Sequence, residues 1–113
     1  MLKKEILRGN KSFQLVYKKG LSVGDRYIVF FYKKNGLSYN RLAFLASKKV
    51  GNSVQRNRAR RLMKESFRLL GFNNLAGYDT IFIARNTING VKRDDVKKSM
   101  FSAIKRSKIG KNK

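Results

Sequence analysis

The 113 residues include no cysteine, no histidine and no proline, and only six acids. Without cysteine there can be no disulfide, thiolate zinc site or thiol nucleophile. Without histidine the commonest general base and the commonest metal ligand are gone. The acids are Glu5, Asp25, Glu65, Asp79, Asp94 and Asp95. Only the last two adjoin, and neighbours on a helix point ~100° apart, so they make no catalytic pair on one face. No catalytic residue and no protein-borne metal site is therefore assigned. No window reaches the ~18 apolar residues of a membrane span, and the first residues lack the apolar core of a signal peptide. The expectation is a cytoplasmic protein without a membrane partner.

Lysine and arginine number 28, giving a net charge of +22 and a pI of about 11.0. Apolar residues make up 42%, with eight Phe and five Tyr, enough for one modest core and too many for a disordered basic tail. The length fits a single domain over 1–113. So lopsided a charge repels itself on folding and calls for a polyanion. Nucleic acid is the leading partner and an anionic membrane surface trails it.

With no proline and no internal repeat, Gly and Asn punctuate the chain. Phe13, Val16 and Tyr17 stand at helical spacing from about Asn10 to Lys18, ahead of Lys19-Gly20. Arg26 to Tyr32 is a β-branched and aromatic run that reads as a strand, with Val23 in a possible short strand before it. Lys34-Asn35-Gly36 turns the chain into a second strand, Arg41 to Ser47. A helix is predicted from Ser53 to Leu70, closed by Gly71, then a strand from Asp79 to Ala84. A last helix from Asp94 to about Arg106 carries acids in its first turn, where they suit the helix dipole. Residues 107–113 read as a frayed basic tail. The order is αβββαβα, and the fold class an α/β (α+β) sandwich, a mainly antiparallel sheet covered by helices.

One helix concentrates the charge. Arg56, Asn57, Arg60, Arg61, Lys64 and Arg68 fall on an arc of roughly 140°. Ala59, Leu62, Met63, Ser66, Phe67, Leu69 and Leu70 fill most of the rest, and Arg58 lies near the boundary. An ordinary solvated helix mixes signs to gain i,i+4 pairs, whereas Glu65 is the only acid here. Such a face makes sense against phosphate, and arginine's planar fork suits folded RNA. The second constellation is aromatic. Phe31 and Val29 share one side of their strand, and Ile28, Phe30 and Tyr32 the other. One set fills the core, and the other is available as a stacking platform for unpaired bases; residue pattern alone leaves the choice open.

The stretch from Ser47 to Leu62, Ser-Lys-Lys-Val-Gly-Asn-Ser-Val-Gln-Arg-Asn-Arg-Ala-Arg-Arg-Leu, closely resembles the signature of the bacterial ribonuclease P protein component. Phe13-Gln14 with Tyr17-Lys18-Lys19-Gly20, and Tyr78-Asp79 to Ala84-Arg85, extend the likeness over nearly the whole chain. Ala43-Phe44-Leu45 stands where other members carry Gly-Leu-Ser, and the strand is expected to be kept.

The resemblance implies a small basic subunit of an endoribonuclease that removes the 5′ leader of precursor tRNA. In that family the RNA subunit performs the hydrolysis with Mg2+ held mainly by RNA and substrate, and the protein alone is not catalytic. It implies a left-handed βαβ crossover, against the general right-handed rule. It assigns contact with the catalytic RNA to Lys48, Lys49, Asn52, Arg56, Asn57, Arg58, Arg60, Arg61 and Lys64. Gly51 also matches the family pattern before the helix, and Phe13, Tyr17 and Phe31 are assigned to the leader. The implied partners are the catalytic RNA and precursor tRNA, with no protein partner called for. A ribosomal or other structural RNA-binding protein is the alternative of another class. A stand-alone nuclease would need clustered acids for metal ions.

The charge alone makes a prediction. At low ionic strength the free protein should gain stability from sulfate, by about 1.4 kcal/mol for each tenfold excess over the dissociation constant of a native-state site. A melting temperature indifferent to sulfate would contradict it.

Overall fold

The structure, a computed structural model, describes residues 6–71 and 77–111. Helix α1 (Asn10–Lys19) is followed by strands β1 (Leu21–Gly24), β2 (Ile28–Lys34) and β3 (Arg41–Leu45). Helix α2 (Ser53–Leu70) leads to strand β4 (Tyr78–Ala84), a 3-10 turn (Asn86–Ile88) and helices α3 (Arg93–Arg106) and α4 (Lys108–Lys111). The sheet order is β1-β2-β4-β3. β1–β2 and β2–β4 are antiparallel, while β3 and β4 are parallel neighbours joined through α2. The fold is α+β with one mixed sheet.

Each strand's alternation divides its residues between two faces. Ile28, Phe30, Tyr32, Leu42, Phe44, Phe82 and Ala84 face α2 and α3 and are buried with Ala59, Met63, Val96, Met100 and Ile104. Phe30, Phe82 and Phe44 stand in register across three strands. Their rings stack at 4.9 and 5.6 Å with interplanar angles of 16° and 9°. The opposite face carries Ala43 and Ile81, capped by Val16 of α1 and by Leu7, with Phe13, Phe31, Leu45 and Ile83 around them. Phe30 and Tyr32 thus belong to the main core, and Phe31 to the shallower layer under α1.

Three strand boundaries move by about two residues, and β2 runs on through Lys33 and Lys34, paired with Asp79 and Tyr78, where the chain was expected to turn. Arg26 and Tyr27 were assigned to β2 but lie in the hairpin turn, where the Asp25 N–H donates to Ile28 O at 2.9 Å and the Asp25 carboxylate accepts the Arg26 N–H. β3 stops at Leu45 because Ser47 opens a turn that Val50 N–H closes at 3.0 Å. The expectation that 107–113 frays is overturned for its first part. Ser107 and Ile109 are buried, and the Lys108 N–H donates to Tyr32 Oη at 3.1 Å. Ile109 is an apolar residue in a basic stretch, and its burial anchors α4 on the core. Residues 112–113 lie outside the described residues.

Polar contacts pin the edges of this framework. Asp79, buried in β4, accepts two hydrogen bonds from Arg41 at 2.7 and 2.6 Å and one from Asn35 at 3.0 Å. Arg41 and Asp79 are partners in the parallel ladder, so the ion pair fixes the register of β3 against β4. Asp25 joins the β1–β2 turn to α3. Burial alone would raise its pKa, but hydrogen bonds from Ser99, the Arg26 N–H, Ser102 and Arg106 outweigh that and hold the carboxyl below its ordinary value. Arg41→Ala should strand the buried Asp79 charge at a cost of about 2–3 kcal/mol, below the ~3–5 of a fully buried pair because Arg41 is partly solvated. Melting of the variant tests this, and a change within a degree of the parent would count against the pin.

Candidate nucleic-acid interface

The charged helix begins at a built start. Asn52 Oδ1 accepts the Gln55 N–H and Gln55 Oε1 accepts the Asn52 N–H, both at 2.9 Å, a reciprocal capping box. Gly51 precedes it with φ 145, and a Cβ there would stand 1.8 Å from Gln55 Oε1, so the cap requires glycine. Asn89 Nδ2 donates to Val50 O at 2.6 Å and holds the turn from outside. Lys48 and Lys49 are exposed on this turn. Asn52 thus has a structural duty, its carbonyl oxygen being engaged in the cap.

On α2, Ala59, Met63 and Ser66 are buried against the sheet and α3. Asn57, Arg60, Arg61 and Lys64 turn toward β3 and α1, where they line a groove of about 880 Å³. Leu42, Ala43, Phe44 and Leu45 floor it, and Ile6, Leu7, Phe13 and Val54 complete it. None of these lining residues is acidic. Asn57 Oδ1 accepts a hydrogen bond from Arg60, which sets the two side chains together at the groove.

Not every predicted residue joins them. Arg56 is half-buried at the start of α2 and is not among the groove residues. Arg58 turns away and donates to Val91 O at 2.8 Å, tying α2 to the segment before α3. Its position near the boundary of the charged arc is the reason, since 200° from Arg56 it faces the other flank of the helix. Arg68 is paired with Glu65, Nε to carboxylate at 3.2 Å. This hydrogen bond lowers the Glu65 pKa and raises that of Arg68, so the last cation of the arc is already neutralised.

The aromatic trio is divided too. Phe13 lines the same groove as the cations. Tyr17, one turn later on α1, meets Phe31 edge to face at 5.1 Å and 88°. Tyr17 is 38% exposed and Phe31 half-buried, so their rings form a surface rather than a sealed core. Burial raises the Tyr17 pKa above its ordinary value. Phe13 and Phe31 both border the cluster of Val16, Ala43 and Ile81, and this links the groove to the Tyr17–Phe31 pair along one face of the sheet.

Val54 escaped the sequence reading. It is 73% exposed yet lines the groove, three residues before Asn57 and seven before Arg61. That i, i+3, i+7 spacing was the available signal. Leu42 to Leu45 and Ile6 could not be found in this way, because only the sheet brings them beneath α2.

The geometry defines a class: an α+β fold whose arginines beside an aromatic-edged groove have no acidic partner among the described residues, a surface suited to a polyanion. Comparison with known proteins then gives the family. The Ribonuclease P family profile matches residues 1–108, and the chain belongs to that family. It is 41% identical over 107 residues to the ribonuclease P protein component of Caldanaerobacter subterraneus subsp. tengcongensis, covering 95% of this chain and 92% of the relative. It is 43% identical over 109 residues to that of Clostridium botulinum, covering 96% and 98%. Among solved structures it resembles the Staphylococcus aureus RNase P protein with a TM-score of 0.82 at 31% identity, covering 93% of this chain and 96% of that one. The RNase P protein from Thermotoga maritima superposes with a TM-score of 0.78 at 30% identity, covering 91% and 97%. No described helix is long and apolar enough to cross a membrane.

If Arg60 meets phosphate, Arg60→Ala should weaken RNA binding while the fold is kept, and lower the salt slope of log K by about 0.7–0.9. A slope equal to the parent's, with an unchanged melting temperature, would exclude that contact.

Proposed function

We propose that the chain is the protein subunit of ribonuclease P. It binds the catalytic RNA through the turn before α2 and the exposed cations of that helix, and holds the single-stranded 5′ leader of precursor tRNA on the aromatic face under α1. The RNA carries the hydrolysis that frees the mature tRNA 5′ end. The observation that carries this reading is the groove itself, which joins Phe13 to Asn57, Arg60, Arg61 and Lys64 without an acid among its lining residues. Such a surface accepts a strand by both of its features, bases on aromatic rings and phosphates on cations. Membership of the family supports this choice of RNA and substrate.

Magnesium in this reading stays with RNA and substrate. Asp79 is engaged by Arg41 and Asn35, Asp25 by Ser99 and Arg106, and Glu65 by Arg68. The described residues contain no group of three or more His, Cys, Asp or Glu able to hold a metal ion. The donor set of the described residues does not fit a resident metal.

Reconstitution with the catalytic RNA is the direct test: the protein should restore leader cleavage at low magnesium and cleave nothing alone. Phe31→Ala should reduce holoenzyme affinity for leader-bearing precursor by about 1–3 kcal/mol if one base stacks there, while sparing mature tRNA. Phe13→Ala and Tyr17→Ala should follow the same pattern. Equal losses for both ligands, accompanied by a large drop in melting temperature, would return these rings to a purely structural role.

A further inference from the structure

A second basic concavity lies at the far end of the sheet. Its volume is about 440 Å³, and it is lined by Lys19, Gly20, Leu21, Tyr32, Lys33, Lys34, Tyr78 and Lys108. These come from the end of α1, the start of β1, the end of β2, the start of β4 and the start of α4. None of them lines the groove beside α2. β3 runs parallel to β4, so its first residue lies at this end while its last, from which the chain leads to α2, lies at the other. Tyr32 of this concavity and Leu42 of the groove both pair with Thr80, so the nearest lining residues of the two stand two inter-strand spacings, on the order of 10 Å, apart.

Lys19, Lys33, Lys34 and Lys108 line it, and among the described residues none of the four forms an ion pair with an acid. The ion pairs of the described residues are Arg41–Asp79, Arg68–Glu65 and Arg106–Asp25. Asp79 stands opposite Lys33 in the β2–β4 ladder but is held by Arg41. Lys33 Nζ donates only to a neighbouring backbone carbonyl, Lys34 O, at 3.0 Å. Asp25 and Asp95 line a separate cavity beside Tyr27, at the other end of β2.

The walls are fixed. Gly20 passes so close to β2 that a Cβ would stand 2.6 Å from Tyr32 O. Tyr32, 4% exposed, stacks on Phe30 at 5.0 Å and accepts the Lys108 N–H. Among the described residues nothing accepts the Tyr32 hydroxyl proton, which leaves it free to donate. Tyr78 tilts against Tyr32 at 6.2 Å and offers a partly exposed ring. Four cations, a hydroxyl donor and an aromatic wall around a nucleotide-sized space make a site for phosphate.

We propose that this pocket is a second RNA-phosphate site, separate from the α2 face, so that one protein molecule holds two RNA segments at once. The proposal rests on the reading of the chain as RNA-binding, but not on which RNA lies along α2.

The test is an amide-resonance titration of the full chain with uridine monophosphate, too small to occupy both sites at once. Resonances of Gly20, Lys33, Lys34, Tyr78 and Lys108 should move and saturate. Lys33→Gln, Lys34→Gln and Lys108→Gln together should weaken that response about tenfold or more and leave Asn57 and Arg60 responding as before. The equal charge change Lys97→Gln, Lys98→Gln and Lys105→Gln should leave the pocket response nearly intact, which separates local contact from net charge. Arg60→Ala should weaken the α2 response and leave the pocket response intact, so a failure of either site shows by itself. Pocket resonances that stay still, that respond equally to uridine lacking phosphate, or that weaken equally in the control triple would overturn the inference.

Discussion

Everything in this molecule is arranged around β4. It is hydrogen-bonded on both edges, antiparallel to β2 and parallel to β3, and is covered on both faces. A strand so placed must be apolar almost throughout, and Ile81, Phe82 and Ala84 are buried. It must also enter beside β3 in the same direction, which requires a long connection across one face. That connection is α2. The helix that carries the arginines is therefore held in place by the central strand, through Phe82 against Phe67 at 5.7 Å and by the Arg41–Asp79 pin at the start of both parallel strands.

The two faces of the sheet differ in how completely they are closed. Under α2 and α3 the stacked Phe30, Phe82 and Phe44 form a dry core. Under α1 a single ten-residue helix covers the other side, and only Val16 of that helix is fully buried. One short helix cannot seal four strands, so Phe13 and Phe31 are left half-buried and Tyr17 reaches the surface. The incomplete cover is what gives the molecule an aromatic surface beside a basic one. Stability is concentrated on one face, leaving the other open for recognition.

The acids have been used sparingly and locally. Asp25 ties the β1–β2 turn to α3, Asp79 ties β3 to β4, and Glu65 answers Arg68. Asp94 and Asp95 sit in the first turn of α3, where the helix dipole favours them. None of the residues lining the α2 groove or the pocket around Tyr32 is acidic. A charge of +22 is thus distributed unevenly, with neutralisation where the fold needs a tie and surplus where a polyanion would lie.

The sequence by itself determined the order of elements from α1 to α3, the limits of α2 from Ser53 to Leu70 and the side of that helix that bears charge. These depend on periodicity, capping residues and composition, which are properties of neighbours along the chain. It also determined that no thiol or imidazole chemistry is available. Tertiary structure decided which aromatics are core, because the two sides of β2 are equally apolar and only the helix packed on each distinguishes them. It turned Arg58 toward Val91, gave Asn52 to the cap and buried Ile109 in what reads as a basic tail. It alone brought Phe13 beside Asn57 and Lys64, and Lys19 beside Lys108. Contacts between residues so distant in the chain arise from strand order, and strand order is set by how whole faces bury one another rather than by any local run of residues.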